Sequence, residues 1–217
     1  MRLGRSIALS SAVLALTAAC AAGPADSGAS PTAPTPTETA TPVAVILPDA
    51  PNKLSGADLL ARWWNWVASS AEDPRADVDG HLCARGQATD IWFLAGGTDG
   101  TATRSCTVPA GVPVAFPVVH RSGLQSGCED FMKVAKGRAT LDGFLALPDR
   151  HDPVNVQIKG VAGNPVTKEA GRTLFTSACG LWVQLAPLEP GSHTLSVVGD
   201  SGTYKVAVTY KLQVAAS

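Results

Sequence analysis

A chain of 217 residues, 45% apolar and 16% charged, can form one domain of ordinary size with a real core, which excludes overall disorder. Its 17 basic and 18 acidic residues give −1, and removing Arg2 and Arg5 with the leader described next leaves 15 against 18, or −3. The remaining cations are scattered singly from Lys53 to Lys211, so no basic stripe exists to neutralise phosphates and nucleic acid is set aside as a partner.

Residues 1–19 carry two arginines, an uncharged run from Ile7 to Ala19 and small residues before Cys20, the pattern of a secretion signal. The sequence Thr17-Ala18-Ala19-Cys20 resembles the lipobox of bacterial lipoproteins. That resemblance implies cleavage before Cys20, a diacylglycerol thioether and an N-acyl chain on it, and residence on the extracytoplasmic face of the cell membrane. The membrane is then a partner through the lipid anchor, since each buried CH₂ contributes about 0.8 kcal/mol and two or more chains hold stably. Ordinary secretion, with cleavage after Ala19 or Ala22, is the competing reading. No other stretch reaches the roughly 18 apolar residues of a membrane span.

Residues 20–51 are dominated by Ala, Thr, Pro and Ser and hold no period, which predicts an extended tether. The apolar patch Val43 to Leu47 is the exception and is expected to add an edge strand to the domain that follows.

Residues 52–217 form that domain. Ser55 and Asp58 have capping-box spacing, and Leu59, Trp63, Trp66 and Val67 recur at helical intervals, predicting one amphipathic helix from about Gly56 to Ser70. The tryptophan stripe is read as core rather than as a sugar platform, because buried aromatics dominate core energetics. Strand signals follow: Ile91 to Ala95, Thr101 to Val108, and Val112 to Val119 after the Pro109-Ala110-Gly111 turn. The stretch from Gly123 to Arg138 is ambiguous, with a short helix beginning at Phe131 to Val134 as one option. At the end, Tyr204, Val206, Val208, Tyr210, Leu212 and Val214 alternate with polar residues, the period of a half-buried strand, and His193 to Val198 should pair with it as a hairpin. Short strands between Gly/Pro turns, without βαβ alternation, predict a mainly β fold: an antiparallel β-sandwich, jelly-roll-like, with one N-terminal amphipathic helix.

Apart from Cys20, four cysteines remain, Cys83, Cys106, Cys128 and Cys179; an even number in an exported chain predicts disulfides. Three connectivities are possible, and pairing 83 with 106 and 128 with 179 is the working expectation. Zinc spacings are lacking, and the acidic stretch Asp73 to Gly80 fails the EF-hand pattern because Ala88 stands where the bidentate acid belongs. No metal and no cofactor is expected. Neither GxSxG nor HExxH occurs, so a catalytic set would have to be assembled from Glu129 or Asp142 with His120 or His151. Gln87 and Arg104, polar residues beside apolar strands, could line a ligand pocket or satisfy buried backbone groups.

Trp64-x-Trp66, Gly80-x-x-Cys83, Gln87, Ile91 to Gly96, Arg104-x-Cys106-x-Val108-Pro109-x-Gly111 and Pro117 together resemble a family of uncharacterised exported bacterial proteins, and Leu188-x-Pro190-Gly191-x-His193 is similar too. The resemblance implies export and brings no activity with it. Two functions compete: a surface lipoprotein that binds a carbohydrate, peptide or small envelope ligand, or serves structurally, without turnover; and a secreted hydrolase or lyase acting on cell-wall or extracellular polysaccharide.

Overall fold

The computed structural model describes residues 46–168 and 172–216. Residues 1–19, Cys20 and the tether up to residue 45 lie outside them. The expected helix is present as α1, Gly56–Ala68, started by Ser55, whose Oγ accepts the Asp58 amide at 3.2 Å. Its apolar stripe is fully used: Leu59, Trp63 and Val67 have no exposed surface.

Among the described residues nine strands follow: β1 Trp92–Phe93, β2 Gly100–Val108, β3 Val114–Gly123, β4 Lys136–Leu141, β5 Phe144–Ala146, β6 Asp149–Lys159, β7 Thr173–Leu185, β8 Gly191–Ser201 and β9 Tyr204–Val214. They form a four-stranded sheet, β1-β3-β7-β6, and a five-stranded sheet, β2-β9-β8-β4-β5. The predicted terminal hairpin is there, with Ser201 opposite Tyr204 around a turn that places Gly202 at φ 63°. The alternation also holds, since Val206, Val208, Tyr210, Leu212 and Val214 are all buried.

Two fold expectations are corrected. The sheets are mixed rather than antiparallel, because β1 runs parallel to β3 and β2 runs parallel to β9. The alternation in β9 reports which face is buried but not the direction of a neighbour drawn from 100 residues earlier in the chain, where no hairpin constrains it. There are also two helices rather than one among the described residues. The second, α2 at Gln125–Val134, ends where the sequence suggested a beginning, and it buries Cys128, Phe131 and Met132.

Phe116, Val119, Leu181 and Val183 of the four-stranded sheet share one core with Val197, Val206, Val208 and Leu212 of the other. The opposite face of the four-stranded sheet is covered by α1, whose tryptophans pack on Ala115, Ile158, Ala178 and Trp182. Trp63 is the hub of that layer, with ring centroids 5.0 Å from Trp64, 6.2 Å from Trp66 and 5.1 Å from Trp182. Before the first strand, Ile46 bridges Leu145 in parallel, so the Val43 to Leu47 patch does reach the edge at β5, although residues 43–45 lie outside the described residues.

Val208→Asp, which places a charge on the shared core, is expected to unfold the domain or cost several kcal/mol, whereas Thr209→Asp on the other face of β9 should cost less than about 1 kcal/mol. Urea denaturation of the two variants measures the difference; equal losses would contradict a one-sided strand.

Candidate functional site

The residues singled out in the sequence fall into three places, and most are tied into the scaffold. Arg104 is 2% exposed. Its Nε donates to the Asp77 carbonyl at 2.6 Å, Nη2 to the Arg75 carbonyl at 2.7 Å, and Nη1 to the Tyr210 hydroxyl at 2.7 Å and to the Gly96 carbonyl. The Tyr210 ring lies under the guanidinium, 5.5 Å from centroid to Cζ. Gln87 behaves alike: its Nε2 donates to the Cys83 and Phe93 carbonyls and its Oε1 accepts the Phe93 amide. Both side chains therefore satisfy buried backbone, the second of the two roles open to them in the sequence.

His120 and His151 are brought into one row. They face the same position of β7, Gly180, from either side, on the surface that carries α1. His120 is 6% exposed, with ring centroids 4.7 Å from Trp63 and 5.5 Å from Trp64. Burial, assisted by the Arg75 charge, pushes its pKa down to about 3. Its Nε2 and the indole nitrogens of Trp64 and Trp182 have no hydrogen-bond partner among the described residues. His151 is half-buried, and burial lowers it too. Its imidazole sits so close to Gly56 that any β-carbon at the first position of α1 would collide with it. Both rings pack under a helix, His120 buried and His151 half-buried, with burial favouring the neutral form of each.

Glu129 and Asp142 are not brought to those histidines. Glu129 is exposed on α2 and accepts from Gln125 Nε2 at 2.9 Å. Asp142 occupies the β4–β5 turn at φ 53°, where its Oδ1 accepts the Thr194 amide at 2.7 Å and its Oδ2 meets His193 Nδ1 at 2.6 Å. The other nitrogen of His193, Nε2, faces the Glu189 carbonyl at 2.8 Å. With an acceptor at each nitrogen the doubly protonated ring is favoured, and in that form the pair is a charged clamp in which His193 has no lone pair for base catalysis. Burial lowers the His193 pKa, but Asp142 and the Glu189 carbonyl outweigh it and the net shift is upward. Burial likewise raises Asp142, and the Thr194 amide and His193 reverse it to a net lowering.

Asp77, Asp79 and His81 hold ligand-capable atoms within 4.8 Å of one another. The Asp77 carboxylate is already committed to the amides of Gly80 and Leu82, each at 2.9 Å, and so shapes the loop.

Of the cysteines, Cys83 and Cys106 are bonded as expected, with S–S 2.04 Å. The expected Cys128–Cys179 bridge is corrected: both are free thiols, each without exposed surface. Their sulfurs are engaged by carbonyls instead, Cys128 Sγ with Arg121 O and Ser177 O at 3.8 Å, and Cys179 Sγ with Cys128 O at 3.7 Å. Contact with Cys179, which outweighs burial, draws the Cys128 pKa down, while contact with Cys128 and burial push Cys179 up.

One open concavity was not legible in the sequence. It is a cleft of about 810 Å³ beside the start of α2, lined by Leu124, Gln125, Asn155, Gln157, Phe175 and Ser177 among others. Phe175 is 76% and Leu124 81% exposed. On β7 the register sets Phe175 opposite Gln157, and Ser177 between Asn155 and Gly123. No protein family, curated protein or solved structure matches the chain.

Two measurements test this description. The His193–Asp142 clamp has a raised histidine and a lowered aspartate, so its stabilisation should be present near neutrality and below, disappear as pH rises through the raised His193 pKa, and disappear again as acid protonates Asp142. Melting temperature against pH should show Asp142→Asn closing the gap to wild type on the alkaline side. Thiol labelling without reductant should mark Cys128 and Cys179 only after unfolding and leave Cys83 and Cys106 unmarked; two unmarked pairs would restore the second bridge.

Proposed function

We propose that the chain is an extracytoplasmic lipoprotein, anchored by lipid on Cys20 and carrying, on a Pro/Thr/Ala-rich tether, a jelly-roll-like β-sandwich that binds an envelope ligand or serves structurally without turning a substrate over. On this reading it belongs with the exported bacterial proteins that share its W-x-W, WFLAG and R-x-C-x-V-P-x-G series. The observation that carries the non-catalytic part is the state of the candidate acids and bases. His120 and His151 pack beneath α1 with burial favouring their neutral form, the two nitrogens of His193 both meet acceptors, and Glu129 on α2 is paired with Gln125 away from any histidine.

The motif series supports the same reading, because its members hold one another. Trp66 Nε1 donates to Arg85 O at 2.9 Å, Gln87 spans Cys83 and Phe93, and Gly96 lies against Pro117 so closely that a β-carbon there would clash. A series whose residues fix a loop to a sheet marks a scaffold rather than a reaction. The competing reading, a polysaccharide hydrolase or lyase, rests on the Asp142–His193 pair and would require His193 Nε2 to be freed from Glu189. Incubation with envelope polysaccharide and mass-spectrometric search for shortened or unsaturated products decides between them.

Cys20→Ser should move the protein from the membrane to the soluble fraction, or leave an uncleaved precursor, and remove the acyl mass from the mature chain. A wild-type mature chain that begins beyond Cys20 and carries no lipid would overturn the anchor.

A further inference from the structure

We propose that the cleft beside α2 binds neutral oligosaccharide chains, with Phe175 as the stacking platform and the amides of Gln125, Asn155 and Gln157 as partners for sugar hydroxyls. The inference rests on the binding-protein reading above and names the ligand class of that protein.

The cleft exists because of where α2 begins. The face of the four-stranded sheet that α2 covers continues past its first residue, and there Phe175 and Leu124 remain in solvent. Elsewhere the same face of β7 is closed, with Cys179, Leu181 and Val183 buried in the shared core. Two large neighbouring apolar side chains left open beside polar groups mark a contact surface. The cleft volume, about 810 Å³, falls within the range of small-molecule sites.

The lining selects the chemistry. None of the described residues that line the cleft is ionisable, so an anion or cation would lose its hydration there without a counter-charge. A wholly apolar occupant would bury the Gln157 amide and the Asn155 NH₂ group against hydrocarbon and leave them unsatisfied, whereas Gln125 Nε2 already donates to Glu129 and offers its carbonyl oxygen. A peptide strand adding to the sheet would need the outer edge of β6. That edge is capped: Asn65 Nδ2 donates to Gln157 O at 2.9 Å and Asn65 Oδ1 accepts Lys159 N at 2.8 Å. A neutral sugar fits what is left. Its apolar C–H face matches a flat aromatic ring, and its hydroxyls both donate and accept, as carboxamides do. Ser177 Oγ donates to Asn155 Oδ1 at 3.2 Å, which orients that carboxamide and leaves its NH₂ group for a ligand.

Isothermal titration calorimetry on the full-length protein in detergent tests the proposal, with mannohexaose, cellohexaose and maltohexaose as probes and an oligogalacturonate and an apolar peptide as comparators. At least one neutral hexasaccharide should bind and the comparators should not. Phe175→Ala should weaken binding about tenfold or more, equivalent to about 1.4 kcal/mol, and leave the melting temperature unchanged because the ring is exposed. Gln157→Ala should weaken it less, also without a change in melting temperature. No heat from any neutral hexasaccharide, undiminished binding by Phe175→Ala, or preference for the oligogalacturonate or the peptide would each overturn the proposal. If these fail while Cys20→Ser still releases the protein from membranes, the ligand assignment falls and the lipoprotein reading stands; sugar binding by a chain that proves unlipidated would do the reverse.

Discussion

The fold depends on burying one cation. Arg104 lies between the sheets' edge and a long irregular passage from Ala71 to Asp90, and a guanidinium there loses its water entirely. Such a group is tolerated only when each N–H finds an acceptor and the charge is spread. Three carbonyls, from Arg75, Asp77 and Gly96, and the Tyr210 hydroxyl supply this. The demand runs both ways, since those carbonyls would be orphaned without Arg104. One side chain therefore fixes the passage, the turn after β1 and the C-terminal strand to one another. The Cys83–Cys106 bond and the Asp77 carboxylate then secure the remainder of the same passage.

Other ionisable groups are used in the same structural way. His120 is neutral by burial, and its cost appears in acid, where an unfolded chain would take up a proton that the folded one refuses; each pH unit below about 6.5 then removes up to about 1.4 kcal/mol. His193 has the opposite sign: two acceptors favour its charged form, which stabilises until pH rises through its raised pKa. The histidines are thus engaged in packing and clamping, while the uncharged side chains of Phe175, Asn155 and Gln157 are open to solvent.

The second helix links the thiol pair to that surface. Cys128 in the first turns of α2 contacts the carbonyl of Ser177, and Ser177 also lines the cleft. The position of α2 thus decides together which part of β7 is core, where the thiols are enclosed, and which part meets solvent. Phe175 and Cys179 lie on the same face of one strand, four residues apart, and differ in burial because α2 covers Cys179 and stops short of Phe175.

Local rules were sufficient wherever an element carried its own signal. The Ser55 cap with the tryptophan stripe defined α1, and strict alternation with the Gly202 turn defined the β8–β9 hairpin and its buried face, because cap, turn and period act between residues near in sequence. Cysteine parity anticipated Cys83–Cys106 but not the two thiols, since parity counts residues while bonding depends on how the sulfurs meet. The parallel pairing of β2 with β9, the row of His120 and His151 about Gly180, and the exposure of Phe175 were decided by tertiary structure alone. Each joins residues separated by tens of positions, and in the sequence Phe175 is one more apolar residue in a strand whose later part is buried on both faces. Whether such a residue is core or contact surface depends on what packs above it, and in this protein that is set by where α2 starts.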